Sequence, residues 1–581
     1  MTATLDPGSQ SCDALRIRLP TTRTDFLGWI AALTSTAVAL WCSRGVLDIV
    51  AGAGGAVRVA LLPPWWLLAV LVAVFGVLGA AAARAHLDAD IVLPLCTLGI
   101  LALPYLPYLP DRVPVLRALA GPARPLLWLV VCWAVAARGI GRWIVGRWRG
   151  PVPLVVFLAS AMIFGLAAWR LTDTPLFPSG DEPHYLVITQ SLLSDGDLKI
   201  QNNHQRGDYR AYFNRPLDPD YLALGADGQI YSIHPVGLPV LAMPAFALGG
   251  YRGVVAMLIV IAAAAATLLW RWAREITGSD AAAIFAWAAV APTAPFLFNS
   301  FAVYPEIPAA LAVLIAMAWR TESTKVATMS VRGAAIAALP WLSTKYAPMA
   351  AGITLVLIAR DPRNLRAVAA LVAPIAVAFA GWFAFFFWIW GTPSPSAPYG
   401  ASEPTTIRYL AHGGPGLLFD QEYGIVAQAP ILIVAFAGLA RMLRTGGRDR
   451  RRALEIIVVF GTLLVTVGSF HVWWGGSAAP GRPVASAVLL LGVPIASFFA
   501  STASRSARAG CHLLLAASVA IACAFAFSNN GALLHNDRDR SAMLLEWASP
   551  NWPLWSAFPS FIATSLTGAI ARTLAWVALI A

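Results

Sequence analysis

The sequence predicts an all-α, polytopic bundle of about 14–16 transmembrane helices whose extracytoplasmic loops carry short juxtamembrane helices. Three observations carry that expectation. The 581-residue chain is 59% hydrophobic and 12% charged, with a mean hydropathy of +0.69, whereas a soluble domain carries about 25% charged residues. Apolar runs such as 26–41 and 67–83 recur from end to end. Arginines gather in the short links between these runs, as they do in cytoplasmic loops.

Against the ~20 apolar residues that a spanning helix needs, four runs precede residue 150, near 27–46, 65–85, 91–109 and 125–145. A fifth occupies 152–169, and polarity then rises sharply. Residues 172–234 form the longest polar stretch, rich in Asp, Asn, Tyr and His. Runs resume near 252–272, 281–298, 306–319, 333–344, 347–359 and 367–390. A second polar loop, 391–423, precedes runs near 425–440, 455–470, 484–500, 511–528 and 560–580. The runs at 306–319, 333–344 and 347–359 are short, which suits a broken or re-entrant element. The expected organisation is a tail and four-helix extension (1–150), a core with both polar loops (151–500), and C-terminal helices (501–581).

Sidedness follows from the arginines. With Arg138, Arg142, Arg147 and Arg149 on the cytoplasmic side, helix parity puts the 172–234 loop outside. The same parity puts Arg320 and Lys325 inside, then Arg360, Arg363 and Arg366, then Arg441, Arg444, Arg448, Arg450, Arg451 and Arg452. Arg112, Arg117 and Arg124 fall outside and break the rule. The protein is expected in the cytoplasmic (inner) membrane, with its working surface facing the periplasm or cell exterior. The net charge of +12 is spread over these links and forms no single basic face, which argues against a nucleic-acid partner. The six cysteines avoid both polar loops, so neither a disulfide framework nor a CxxC metal site is indicated. The polar N-terminal 25 residues lack a small-residue cleavage pattern, so the first run reads as an uncleaved helix.

Polar residues converge on the outer side. Asp181 and Glu182 open the long loop in Gly-Asp-Glu-Pro-His-Tyr (180–185), and His234 precedes Pro235 at its end. Glu306 stands where an outer loop enters an apolar run, and Lys345 and Tyr346 lie at the outer end of another. His471, Trp473, Trp474 and Arg482 occupy a third outer segment. Each has a plain structural reading as well. Asp181 after Gly180 is a natural helix N-cap. Lys345 can snorkel to the interface, the Trp pair can sit in an aromatic belt, and Arg482 can sit among headgroups. Glu306 is harder to dismiss, because a carboxylate within apolar sequence is costly and functional by default. Lys345 gains weight because lysine is rare here, three against 38 arginines. Asp181, Glu182, His184 and Glu306 could hold a divalent metal, but their spacing matches no known pattern, and no cofactor is indicated.

In order, these pieces resemble the GT-C superfamily of membrane glycosyltransferases. The closest likeness is to the branch using polyprenyl-phosphate sugars, which includes protein O-mannosyltransferases and aminoarabinose transferases. The likeness covers roughly 152–500. It rests on Asp181-Glu182-Pro183-His184-Tyr185, then Leu192 to Asp197 with its Gly-Asp pair, His234-Pro235, Glu306 and Thr344-Lys345. Gly416 to Asp420 and, more loosely, Trp473 to Arg482 extend it. The resemblance implies transfer of a sugar from a polyprenyl-phosphate donor to a glycan, lipid or protein acceptor, inverting and metal-independent. It implies Asp181 as base, with Glu182 and Glu306 arranged around it. Lys345, Arg482 and His234 would hold the phosphate, with His184, Tyr185, Tyr346 and His471 also lining the substrate site. The lipid tail would lie between helices. The alternative reading is a transporter or flippase for a lipid-linked or anionic substrate. Such proteins tend to show inverted repeats and mid-membrane polar residues; no repeat is visible, and the charges cluster at the outer ends of the runs.

Overall fold

The computed structural model describes residues 23–52, 55–84, 89–121, 123–147, 152–402, 404–476, 479–535, 541–550 and 552–580, with backbone alone for 23–26, 48–52, 55–59, 82–84, 139–147 and 579–580. The N-terminal tail with Cys12, and the side chains of Arg142, Arg147 and Arg149, lie outside what is described. The protein is all-α and a multi-pass helical membrane protein. Among the described residues five helices are long and apolar enough to cross a membrane, or six if one bent pair counts as a span, and shorter apolar helices accompany them.

The chain divides into two units, 1–140 with 505–512, and 141–504 with 513–581. The first contains α1 (Arg23–Ser43), a hairpin of β1 (Val46–Gly52) and β2 (Gly55–Leu61), and α2 (Trp65–Arg84). The hairpin was not foreseen. Val46, Ile49, Val50, Val57 and Val59 supply β-branched residues to the two strands, which favours pairing over helix. The expected run at 91–109 is a 3₁₀ helix over Leu93–Tyr105, where Pro94 and Pro104 each remove a backbone donor.

In the second unit α3 (Val152–Leu171) is the fifth expected span. The long polar loop is folded: α4 (Glu182–Ser194) rests on a small apolar cluster of Val187, Ile188, Ile200 and Tyr209. The next element, α5 (Gly237–Thr277), is two limbs joined at Gly249 and Gly250, whose backbone angles are non-helical. The run at 252–272 is its second limb. α6 (Glu306–Ala318) is apolar beyond its first residue, and 11 of its 13 residues are buried, Glu306 among them. Such a helix belongs at the centre of a bundle, but at about 1.5 Å per residue it is too short to span a membrane alone. α7 (Val326–Leu342) and α8 (Ala347–Arg360) form a hairpin whose turn holds Lys345. α9 (Leu365–Trp390) carries an aromatic run with Phe387 and Trp388 exposed. α10 (Gly447–Gly468) and the broken helix α11 (Arg482–Ser501) complete the core.

The two ends of this unit differ in chemistry. At one end, buried Arg332 donates to the carbonyls of Trp319, Arg320, Thr321 and Ser323. Nearby, Arg360 pairs with Glu455 at 2.7 Å, and Arg452 with Glu322 at 3.0 Å. These are the links expected on the cytoplasmic side. The opposite ends of α6, α7 and α8 carry Glu306 and Lys345.

Candidate functional site

Asp181, Glu306, Lys345 and Arg482 all sit where a helix begins, close to a proline: Pro183, Pro308, Pro348 and Pro483. Proline in a first turn costs no intrahelical bond and presets the backbone, so each charged group is held on a rigid element. Gly180 has φ +54° and a side chain there would meet the Tyr304 hydroxyl at 2.6 Å, so glycine alone fits. That close approach lets the Tyr304 hydroxyl donate to the Ser179 carbonyl at 3.0 Å and accept from the Asp181 N–H at 3.1 Å.

Asp181 stands at the N-cap position of α4, yet its side chain makes no capping bond. Its Oδ2 instead accepts from Arg482 Nη1 at 3.3 Å. The guanidinium lies 4.1 Å from the Tyr304 ring centroid, and its Nη2 donates to the Gly475 carbonyl. The Asp181 side chain remains 41% accessible while that of Arg482 is 13% accessible, so the carboxylate faces an opening and the guanidinium backs it. Burial raises the Asp181 carboxyl, but the charges of Arg482 and His234 outweigh it and hold the group below the usual carboxylate range.

Glu182, its neighbour, is wholly buried. Its Oε2 accepts from Val303 N–H at 2.7 Å and its Oε1 from Ser179 N–H at 3.0 Å. Burial pushes the carboxyl up to about 7, against the pull of those two N–H donors. With both oxygens committed to backbone, Glu182 ties the 179–182 turn to the segment before α6 and is a positioning residue.

Glu306 is 1% exposed and its Oε1 accepts from Lys345 Nζ at 2.7 Å. Its Oε2, buried, has no hydrogen-bond partner among the described residues, and the same holds for Arg482 Nε and His184 Nδ1. Buried polar atoms are rarely left unsatisfied, so each of these three is open to a polar partner. Tyr346 is fully buried, its ring 5.2 Å from Lys345 Nζ. Tyr185, also buried, has its ring 4.9 Å from that of His234 and 6.2 Å from that of Tyr304.

His234 Nε2 bonds Asp220 Oδ2 at 2.9 Å, and its ring stacks on His184 at 5.5 Å. Burial first, then His234, pushes His184 down to about 4. Asp220 is raised by burial, but its bond to His234 outweighs that and holds it low. His471 is not drawn in: it is exposed, and its Nδ1 lies 3.2 Å from the Pro404 carbonyl. Trp473 is buried, packed where a side chain on Gly416 would come within 2.5 Å of its ring, so it does not belong to an interfacial belt. Asp420 is a structural staple, its oxygens accepting from the N–H groups of Glu422, Tyr423 and Phe561. Among the described residues no three His, Cys, Asp or Glu side chains form a metal-binding set.

Beside the cluster runs a narrow groove that is partly open to solvent. Trp341, Trp382, Phe385, Phe386 and Trp390 wall it, and Ser232, His234, Thr344 and Tyr399 supply its polar lining. His234 and Tyr399 also lie within electrostatic reach of Asp181. Asp220, Tyr304 and Tyr399 escaped the sequence reading. Tyr304 adjoins Glu306 and could have been suspected, but no motif singles out Asp220 or Tyr399. No known protein family matches the sequence, and no curated protein matches it.

Proposed function

We propose that the protein transfers a sugar from a polyprenyl-phosphate donor to an acceptor hydroxyl on the extracytoplasmic side of the membrane, by single displacement with inversion. The observation that carries this reading is an accessible carboxylate, Asp181, paired with a buried guanidinium, Arg482, beside an aromatic-walled groove. The groove suits an isoprenoid chain, because its walls are apolar and α9 exposes Phe387 and Trp388 on its outer surface. The arginine-rich end would face the cytoplasm, which turns Asp181 outward.

The acceptor oxygen attacks the anomeric carbon, the carbon–oxygen bond to phosphate breaks, and the polyprenyl phosphate departs with the bonding pair. Asp181 takes the hydroxyl proton. Arg482 does two things in sequence. Before the donor binds, it depresses the basicity of Asp181. A donor phosphate competes for the guanidinium, and once Arg482 turns to it, Asp181 becomes the stronger base and the developing phosphate charge is stabilised. Lys345 and His234 add positive charge, and Glu306 Oε2 accepts from a sugar or acceptor hydroxyl.

Mass spectrometry of membrane lipids tests the proposal in cells carrying the wild-type gene or Asp181→Ala. Accumulation of one polyprenyl-phosphate sugar in the mutant is the expected result and identifies the donor. Identical profiles, with the mutant protein at normal abundance, would refute the role of Asp181 and favour transport of a lipid-linked substrate.

A further inference from the structure

His234 does not act alone. Its Nε2 lies 2.9 Å from Asp220 Oδ2, and the Ile233 N–H donates to the Asp220 carbonyl at 3.1 Å, so backbone and side chain both fix the pair. The His234 side chain is 9% exposed and lines the groove, and its Nδ1 takes no hydrogen bond among the described residues. The groups facing it are Asp220 from its own loop, Asp181, His184 and Tyr185 from the start of α4, and Tyr399 across the groove. Lys345, beside Thr344 in the groove lining, is bonded to Glu306.

This arrangement constrains the imidazole. An ionised Asp220 accepts only, so Nε2 must carry a hydrogen in every protonation state. In the neutral ring Nδ1 is then a bare lone pair, which repels a phosphate oxygen. Only the imidazolium presents an Nδ1–H. Without the carboxylate, the neutral ring could place its hydrogen on Nδ1 and still donate.

We infer that Asp220 fixes the His234 tautomer and makes donor-phosphate binding depend on protonation of that one ring. Asp220 is a positioning residue in this account, and the account rests on the donor reading above. Its signature is a pH profile. Affinity of fixed cations for a phosphate monoester rises with pH, because its second ionisation falls near about pH 6, and for the donor's diester, which carries one charge throughout, it stays level. Affinity gated by His234 falls over the same range.

The test is binding of sugar-free undecaprenyl phosphate to the purified full-length protein in lipid nanodiscs, at about pH 6 and about pH 9. The wild type is expected to lose about tenfold or more in affinity at the higher pH, the worth of one charge-assisted hydrogen bond. His234→Arg should remove that loss, since arginine stays charged. Asp220→Ala should flatten the profile as well, and Asp220→Ala in the His234→Arg background should bind as His234→Arg does. Wild-type binding that is independent of pH, or an Asp220→Ala profile as steep as the wild type, overturns this inference and leaves the transferase reading standing. No binding by the wild type at either pH overturns both. Should Asp220→Ala fail to give monodisperse protein, the contrast between wild type and His234→Arg still decides.

Discussion

Lys345→Met isolates a buried carboxylate. Glu306 is 1% exposed and holds one short ion pair, 2.7 Å to Lys345 Nζ, while its other oxygen has no partner among the described residues. At an effective dielectric near 20 the attraction at that distance is worth about 6 kcal/mol. The 27% exposure of the lysine side chain screens part of it. Breaking such a pair from one side typically costs about 3–5 kcal/mol, because the remaining charge has lost its counter-ion. Removing both charges costs far less. Lys345→Met should therefore destabilise the protein by about 3–5 kcal/mol, and Glu306→Gln with Lys345→Met should return to within about 1 kcal/mol of the wild type. Lys345→Arg keeps the charge and should fall between. Unfolding in a denaturing-detergent titration, followed by tryptophan fluorescence, reads these differences, and size-exclusion chromatography confirms the folded state. The double variant should be folded and, if the proposed transfer is right, inactive, which separates the structural role of the pair from the proposed catalytic one. A single variant as stable as the wild type, or a double variant no better than the single, would refute the reasoning.

Other perturbations have equally definite outcomes. Gly180→Ala forces an L side chain into φ +54° with its Cβ 2.6 Å from the Tyr304 hydroxyl; strain and the loss of two hydrogen bonds should cost about 2–4 kcal/mol in the same titration. Arg332→Met removes a shared donor from the carbonyls of Trp319, Arg320, Thr321 and Ser323, although Thr321 keeps Arg360 and Arg320 keeps the Ser323 N–H, so a loss of about 2–3 kcal/mol is expected; no loss would mean that water replaces the guanidinium. Trp382→Ala enlarges the groove and should raise KM about tenfold for a long-chain donor, with kcat held; an equal effect on a donor truncated to a few isoprene units would remove the chain from the groove.

The bundle was legible because its signal is additive. Each apolar run is long relative to the placement error of its ends, and the arginine links repeat one rule several times over. Departures fall where local backbone chemistry competes with the apolar signal: β-branched residues in the strands 46–52 and 55–61, prolines bracketing 93–105, and the Gly249–Gly250 break inside an otherwise continuous helix. In the site, Glu306 and Lys345 were legible because a charge beside apolar sequence is expensive wherever it lies. Asp220 was not. It stands in a loop full of aspartates, and what distinguishes it is a partner 14 residues away, brought close by the extended run that carries Ile233 back beside it.

Adjacent Asp181 and Glu182 show where sequence reasoning about chemistry stops. Both are carboxylates in one dipeptide, at the start of one helix, with the same local propensities. Successive residues at a helix start point in directions about 100° apart, so one can face the opening while the other faces the core. Asp181 is left 41% accessible against Arg482, and its carboxyl is held low. Glu182 turns inward onto two backbone N–H groups, and burial drives its carboxyl up to about 7. The selection is made by partners far along the chain: Arg482 for the first, Val303 for the second. Exchanging the two residues would therefore not exchange their roles. An Asp at 182 would be too short to reach both N–H donors, and a Glu at 181 would carry its carboxylate about one methylene past the guanidinium. The dipeptide announces a site, but the division of labour within it is written in the tertiary structure.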